Sequence, residues 1–293
     1  MWVVALVINL VLFVTSTLLR RRFAQSHTVP ASVTLAISYT LGVMPLSIAA
    51  GFLFPHNIDW SYWTAWLLFS ASLLVALFIW LSFIAIRYLP AALNQTIFQT
   101  RIIVTILLGW LFLGEGLTAN QLIGAACILA SGIIAVWAPA KAHRHGKSTH
   151  EHLLKGVFFT LASALFLGVG VVVEKAAIQY MDIGAFFIYG FGMQSLWLVL
   201  LALWDWHKQP RLQLSRQLVK ESVLLGMVVA GIGVSYFAAL RGANNVSLIA
   251  ALTATVLPLT AIAAHFILKE RDDDKLLWIA ISLAITGVVV TAL

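Results

Sequence analysis

Long apolar runs separated by short polar breaks organise this 293-residue sequence. Ten runs are long enough to cross a bilayer as helices, which takes about 17–25 residues. They are Trp2–Leu19, Ala31–Phe54, Tyr62–Ile86, Ala91–Leu113, Thr118–Trp137, Gly156–Val173, Gly184–Trp204, Ser222–Leu240, Val246–Leu268 and Leu276–Leu293. No run alternates apolar and polar residues as barrel strands do, and helices satisfy their own backbone hydrogen bonds in lipid. The pattern predicts an all-α integral membrane protein with ten transmembrane helices.

The composition points to the same class. Hydrophobic residues make up 61% of the chain and charged residues 10%, and the mean hydropathy is +0.98. A soluble domain carries about 25% charged residues, which cover its surface. We therefore expect lipid to contact most of this surface, in a multi-pass protein of the inner (plasma) membrane.

The distribution of positive charge predicts an orientation. Fifteen of the 18 Lys and Arg residues fall in the odd-numbered breaks, two fall in the even-numbered breaks, and Arg101 lies within a run. Lys and Arg are retained on the cytoplasmic side, so the odd-numbered breaks are expected there and both termini outside. The basic residues form short clusters without a nucleic-acid-binding motif, so the expected partners are membrane lipids and not nucleic acid.

The second half of the chain repeats the first. At an offset of 155 residues, Leu113-Gly114-Glu115 matches Leu268-Lys269-Glu270, and Gly132 matches Gly287. Each half has five predicted helices, an odd number, so the second half enters the membrane from the opposite side. We predict two inverted five-helix repeats around a central cavity, an arrangement common in secondary transporters. The predicted boundaries are residues 1–138 and 156–293, joined by a basic, His-rich linker at 139–155.

These matched segments resemble the drug/metabolite transporter superfamily, in particular its EamA-type ten-helix members. Both halves place a helix ending in Leu-Gly-Glu or Leu-Lys-Glu before a polar turn and a Gly-containing helix. The resemblance implies a cavity lined mainly by helices one, three, four, six, eight and nine, and export of amino acids or other small metabolites. Two features depart from the family: the first helix has Phe13-Val14-Thr15-Ser16 in place of a Trp-Gly pair, and members are usually drawn with cytoplasmic termini.

Arg101 is the first candidate for binding chemistry. It lies near the middle of the fourth apolar run. A guanidinium at that depth costs at least about 2.5–3.5 kcal/mol, so it must face protein, water or a ligand. Its planar fork suits a carboxylate or a phosphate of a substrate. The alternative is a structural role, in which Arg101 bonds to carbonyls freed by a helix kink.

Further candidates surround Arg101 or lie in other helices. The amides of Asn94, Gln95 and Gln99 either bind polar groups of a substrate or join helices by hydrogen bonds. The rings of Trp80 and Tyr236 either stack on an aromatic substrate or pack within the bundle.

The ninth and sixth helices supply the remaining candidates. Thr255 is a substrate-binding candidate. Pro258 either disturbs its helix beside the substrate, as happens in transporters, or makes a plain packing kink. His265 titrates near neutrality and is a coupling candidate or an interfacial histidine. Glu174, at the outer end of the sixth helix, is a gating candidate or pairs with lipid, water or Lys175.

Taken together, these residues favour a secondary transporter, acting as a monomer or homodimer on a small anionic or zwitterionic metabolite. No paired carboxylates or activated nucleophile indicate an enzyme. The alternative hypothesis is a flippase or membrane enzyme acting on a lipid carrier or phosphate headgroup. The linker histidines lack a partner Cys or buried carboxylate, so we predict no metal site and no cofactor.

Overall fold

The computed structural model describes residues 2–26, 29–113, 118–142, 147–208, 214–242, 256–263, 266–267 and 275–292. These residues form helices and connecting loops, with one isolated antiparallel bridge between Ile58 and Met181. The α-helices are α1 (Trp2–Ser26), α2 (Ala31–Ile37), α3 (Met44–Leu53), α4 (Tyr62–Tyr88), α5 (Ala91–Phe98), α6 (Arg101–Leu113), α7 (Ala119–Ala142), α8 (Lys147–Ala177), α9 (Ile183–Ala185), α10 (Phe191–Lys208), α11 (Arg216–Gly242), α12 (Val256–Ala263) and α13 (Lys275–Ala292). Two π-helical segments, Ser38–Val43 and Phe186–Gly190, join α2 to α3 and α9 to α10.

The all-helical membrane class is confirmed. Seven helical stretches of the described chain are long and apolar enough to span a bilayer, and two shorter apolar stretches lie in α7 and α13. Of the predicted ninth helix, the structure describes α12 and residues 266–267. The count of ten helices and the inverted arrangement of the halves therefore stay predictions.

Two predicted helix ends are wrong in a way that matters for function. The first helix continues past Leu19 to Ser26, and the sixth continues past Val173 to Ala177. The helix α8 also begins at Lys147, inside the predicted linker. A hydropathy pattern places the predicted end of a helix at its first charged residue, whereas the backbone hydrogen bonds of the helix continue beyond it. Arg20 and Glu174 consequently lie within helices.

The second and seventh helices contain the two π-helical segments, which the apolar pattern did not predict. In the first segment, Gly42 lies against α11, where a Cβ on Gly42 would come within 2.7 Å of the Cα of Gly226. A Cβ on Gly226 would in turn clash with the carbonyl oxygen of Ser38. Only glycine permits this backbone contact between the halves, and π-helical turns are frequent at functional sites.

The predicted fourth helix is broken into α5 and α6 at Gln99 and Thr100. The amides of Gln99 and Thr100 bond to carbonyls three residues back, at 3.3 and 3.1 Å, and the Thr100 hydroxyl donates to the Ile97 carbonyl at 2.9 Å. Such tightening to a 3₁₀ turn within a helix often marks a hinge. Arg101 is thus the first residue of α6.

The two halves meet at both ends of the bundle. At one end, residues 55–59 pair with residues 180–184 through three backbone hydrogen bonds of 2.9–3.0 Å, and we name these two segments the loop bridge. Within the loop bridge, Asp182 accepts from the amide and the side chain of Asn57 at 3.1 and 3.0 Å. At the opposite end, Ser32 donates to Asp205 at 2.6 Å. The predicted outer breaks two and six therefore share one end.

Candidate solute-binding cavity

A cavity of about 260 Å³ lies between the two halves. The helices α1, α4 and α5 and the first π-helical segment line it from the first half, and α8, α10, α11 and the second π-helical segment line it from the second. Its polar lining residues are Ser16, Thr17, Arg20, Tyr39, Ser82, Asn94, Gln95, Glu174, Gln194 and Tyr236. The two halves thus enclose a polar site within a membrane bundle.

Arg20 is the basic residue among the described residues of the lining. It shares one face of α1 with Phe13, Ser16 and Thr17, because residues three, four and seven apart align on a helix. Its Nη1 donates to the hydroxyl of Ser82 at 3.5 Å, at the limit of a hydrogen bond, and its Nε is buried without a partner among the described residues. A guanidinium has five N–H donors, so most of its capacity is available to a ligand.

Neighbouring arginines contrast with Arg20. Arg21 donates to the carbonyl of Ile86, and Arg87 donates to the carbonyl of Val29 at 2.7 Å. These two side chains tie the ends of α1 and α4 to adjacent backbone. Arg20 differs because its face of α1 turns toward the cavity.

Three amide side chains add polar groups. Gln95 donates to the hydroxyl of Thr17 at 3.3 Å, while Asn94 accepts from the hydroxyl of Thr160 at 2.7 Å. Gln194 is 2% exposed, and its Oε1 is buried with no hydrogen-bond donor among the described residues. Buried polar atoms are normally paired, so Arg20 and Gln194 retain unused hydrogen-bonding capacity at the cavity.

Aromatic rings form an apolar part of the lining. Phe78 and Phe98 stack with centroids 5.4 Å apart, and Phe186 and Phe191 meet edge to face at 6.4 Å. Such pairs are rigid and bury large apolar areas. The cavity therefore offers an apolar surface beside its polar groups.

Glu174 lies toward the other end of the cavity from Arg20. The helix α8 runs antiparallel to α4: Gly170 faces Val75, and Ala177 packs with Leu67 and Leu68. Glu174 is one turn beyond Gly170, which puts it level with Ala71. Ser82, which accepts from Arg20, is eleven residues away on α4, a separation of about 16 Å along the helix.

Arg101 lies outside this lining. Its guanidinium packs over the ring of Phe98, with Cζ 5.1 Å from the centroid, and its Nε is buried without a partner among the described residues. Tyr236, a lining residue, lies within electrostatic range of Arg101. Phe98 therefore separates Arg101 from the cavity, and a substrate-binding role for Arg101 stays a prediction.

The other candidates fall into three groups: residues that line the cavity, residues that do not, and residues whose side chains are not described. Asn94, Gln95, Glu174 and Tyr236 line the cavity, whereas Gln99 and Trp80 do not. Trp80 packs against the buried cluster built around α4, and the Oε1 of Gln99 is buried without a partner among the described residues. Thr255 and His265 lie outside the described residues, as does the side chain of Pro258, whose backbone belongs to α12.

Comparison with known proteins places the chain. The model of the EamA-like transporter family matches residues 1–137 and again residues 154–293. The chain belongs to the EamA-like transporter family. No curated protein matches it significantly. One solved structure, described only as "Crystal structure of protein", superposes with a TM-score of 0.64 at 18% identity, over 98% of this chain and 94% of the other. That similarity shows the fold alone.

Membership confirms the resemblance to the drug/metabolite transporter superfamily and identifies a multi-pass membrane protein of a transporter family. Members of the EamA-like family are transporters and not enzymes. Arg20, Tyr39 and Gln194 also line the cavity and are not among the candidates that the sequence pattern predicts. The spacing of Ser16, Thr17 and Arg20 on one helix face was the signal for Arg20.

Proposed function

We propose that this EamA-like protein is a secondary transporter that moves a small anionic or zwitterionic metabolite, such as an amino acid, outward across the inner (plasma) membrane. The observation that carries the proposal is the cavity between the halves, where Arg20 has unused donors among the described residues. A guanidinium with available donors suits a carboxylate or phosphate. The cavity volume of about 260 Å³ is just below the usual range for ligand pockets, about 300–1,000 Å³, which favours a small solute.

Different lining residues bind different parts of the solute. Arg20 binds the negative group of the solute, and the amides of Gln95 and Gln194 bind its neutral polar groups. The stacked rings of Phe78 and Phe98 contact its apolar part. The solute is then oriented along the cavity with its anionic group toward the end of α1.

Alternating access requires that each end of the cavity opens while the other stays closed. The loop bridge supports this mechanism, because its hydrogen bonds join the halves at one end. The Ser32–Asp205 hydrogen bond joins them at the other end. Rocking of the halves about the cavity breaks one set of contacts at a time.

Transport by the full chain in lipid vesicles tests the proposal. The probes are radiolabelled glutamate, succinate, alanine, phenylalanine and glycerol 3-phosphate. Loss of a charged hydrogen-bond partner costs about 1.5–3 kcal/mol, so Arg20→Ala should weaken binding of the transported probe about 10- to 150-fold. Arg20→Lys, which keeps the charge, should lose less.

Arg22→Ala is the matched control, because Arg22 lies on the same helix and is exposed. It should transport like the wild type. Absence of transport of every probe by the wild type, or normal transport by Arg20→Ala, would contradict the proposal.

A further inference from the structure

Glu174 is an ionisable group of the cavity that the proposed transport step leaves without a role. It lies one turn before the end of α8, and its side chain borders the cavity. Among the described residues, no hydrogen bond or ion pair reaches its carboxylate. Its backbone carbonyl accepts from Ile178, at the start of the turn that leads into the loop bridge.

In the part of the chain that the structure describes, the groups that face Glu174 supply no adjacent counter-charge. Tyr39, from the first π-helical segment, and Tyr236, from α11, lie within electrostatic range of it. Arg20 on α1 lies within electrostatic range of Tyr39 and Arg101 on α6 within range of Tyr236, and Lys175 on α8 is exposed. The described lining residues of α4, α5, α10 and the second π-helical segment are not ionisable.

An ionised carboxylate in such a site is costly, because low-dielectric surroundings disfavour a charge that is neither paired nor hydrogen-bonded. Ionisable residues within membrane helices accordingly mark proton or ion pathways in many transporters. Binding of a proton removes the cost without any other partner. A single carboxylate with no further described ligand suits a proton better than a metal cation, which needs several oxygen ligands.

We propose that Glu174 is a proton-binding residue and that its protonation is coupled to binding of the anionic group of the solute at Arg20, so that proton and solute cross in the same direction. This inference rests on the proposed transport function. Loss of the negative charge at one end of the cavity favours an anion at the other. By reciprocity, the bound anion favours the proton at Glu174.

The size of the coupling follows from the separation of the two ends. Two unit charges about 16 Å apart at an effective dielectric constant of about 20 change an affinity about fivefold. In the wild type, affinity for an anionic probe should therefore rise about fivefold as Glu174 binds its proton. Glu174→Gln imitates the protonated side chain, so its affinity should be high and independent of pH.

Infrared difference spectra between about pH 5 and pH 9, above the ordinary carboxyl range near pH 4 and within the range of buried carboxyl groups, detect the proton itself. Purified full chain in lipid should show the carbonyl band of a protonated carboxylic acid, and Glu174→Gln should lack one component of that band. Glu151→Gln is the matched control, because Glu151 lies on the same helix and is exposed beside Lys155. An identical band in wild type and Glu174→Gln would overturn the inference.

The pH dependence of succinate and glutamate binding is the second measurement. Affinity that is independent of pH in the wild type would overturn the coupling. Weaker binding of glutamate by Glu174→Gln at every pH would also overturn it, because the carboxylate would then bind the ammonium group of the probe. Failure of the proposed function would look different: the wild type would transport no probe, whatever the infrared band of Glu174.

Discussion

The two ends of the cavity differ in charge and in how they join the halves. Arg20 borders one end, where the Ser32 and Asp205 side chains connect the halves; Glu174 borders the other, where the backbone of the loop bridge connects them. Glu174 follows Arg20 by 154 residues, within one residue of the offset that relates the two halves. In the predicted inverted repeat, matching positions fall at opposite ends. Opposite charges at matching positions therefore give the two ends of the duplicated bundle opposite charge.

The largest effect should come from locking the loop bridge. Ile58 and Met181 are opposed in an antiparallel bridge, in which Cα atoms are about 4.5–5.5 Å apart. That separation lies within the range of about 4.4–6.8 Å that a disulfide accepts. Ile58→Cys with Met181→Cys, in a Cys127→Ser background, should lose transport completely when oxidised and regain it when reduced.

Vesicle transport before and after reduction measures the effect, and the two single-cysteine variants serve as controls. Persistence of transport in a fully cross-linked sample would mean that this end does not open. The two ends would then not open alternately, although the fold would be unaffected.

Reversal of the charge at Arg20 should have the next largest effect. Arg20→Glu leaves carboxylates at both ends, so an anionic solute loses its partner and meets repulsion. We expect affinity for the transported anionic probe to fall about 100-fold or more, since a charged hydrogen bond alone accounts for about 1.5–3 kcal/mol. Equilibrium binding to the purified protein measures this. A loss no greater than that of Arg20→Lys would show that charge at this end does not select the solute.

The membrane helices and several cavity residues could be predicted from the sequence, because they depend on local apolar pattern. Asn94, Gln95 and Tyr236 are polar positions inside apolar runs, and all three line the cavity. The hydropathy pattern ends the first helix at Leu19 and so places Arg20 in a loop, although α1 continues to Ser26.

The remaining differences arise from tertiary contacts and from local hydrogen bonds, neither of which the apolar pattern reveals. The first π-helical segment accompanies the backbone contact between Gly42 and Gly226, which lie far apart in sequence. The break at Gln99 and Thr100 contains no Gly or Pro that would indicate it in the sequence, and it depends on local hydrogen bonds. Arg101 follows that break. Its central position in the fourth apolar run therefore did not reveal that Phe98 separates it from the cavity.

A smaller effect on solute affinity is expected at Arg101 than at Arg20, because only the second of these two guanidinium groups lines the described cavity. Arg101 packs over Phe98, a lining residue, and is itself outside the lining among the described residues. A cation–π contact contributes about 0.5–2 kcal/mol, chiefly to stability. Arg101→Ala should therefore lower the free energy of unfolding by about that amount and change solute affinity less than about fivefold.

Thermal unfolding and equilibrium binding of the purified variant separate these two effects, and Arg101→Lys is the matched control. A loss of affinity as large as that of Arg20→Ala would instead assign the anionic group to Arg101, as the sequence pattern first indicated.

The smallest effect on transport is expected at Thr160. Its substitution tests whether Asn94 packs helices together or binds the solute. The single Thr160 hydroxyl hydrogen is shared between the side-chain oxygen of Asn94 at 2.7 Å and the carbonyl of Gly156 at 2.8 Å, so Thr160 joins α5 to α8. Thr160→Val leaves the Asn94 oxygen without this donor, which should lower the free energy of unfolding by about 1–3 kcal/mol in thermal melts. Thr15→Val is the control, because the exposed Thr15 hydroxyl bonds within its own helix. Unchanged solute affinity would assign Asn94 to helix packing, and a clear loss would assign it to the solute.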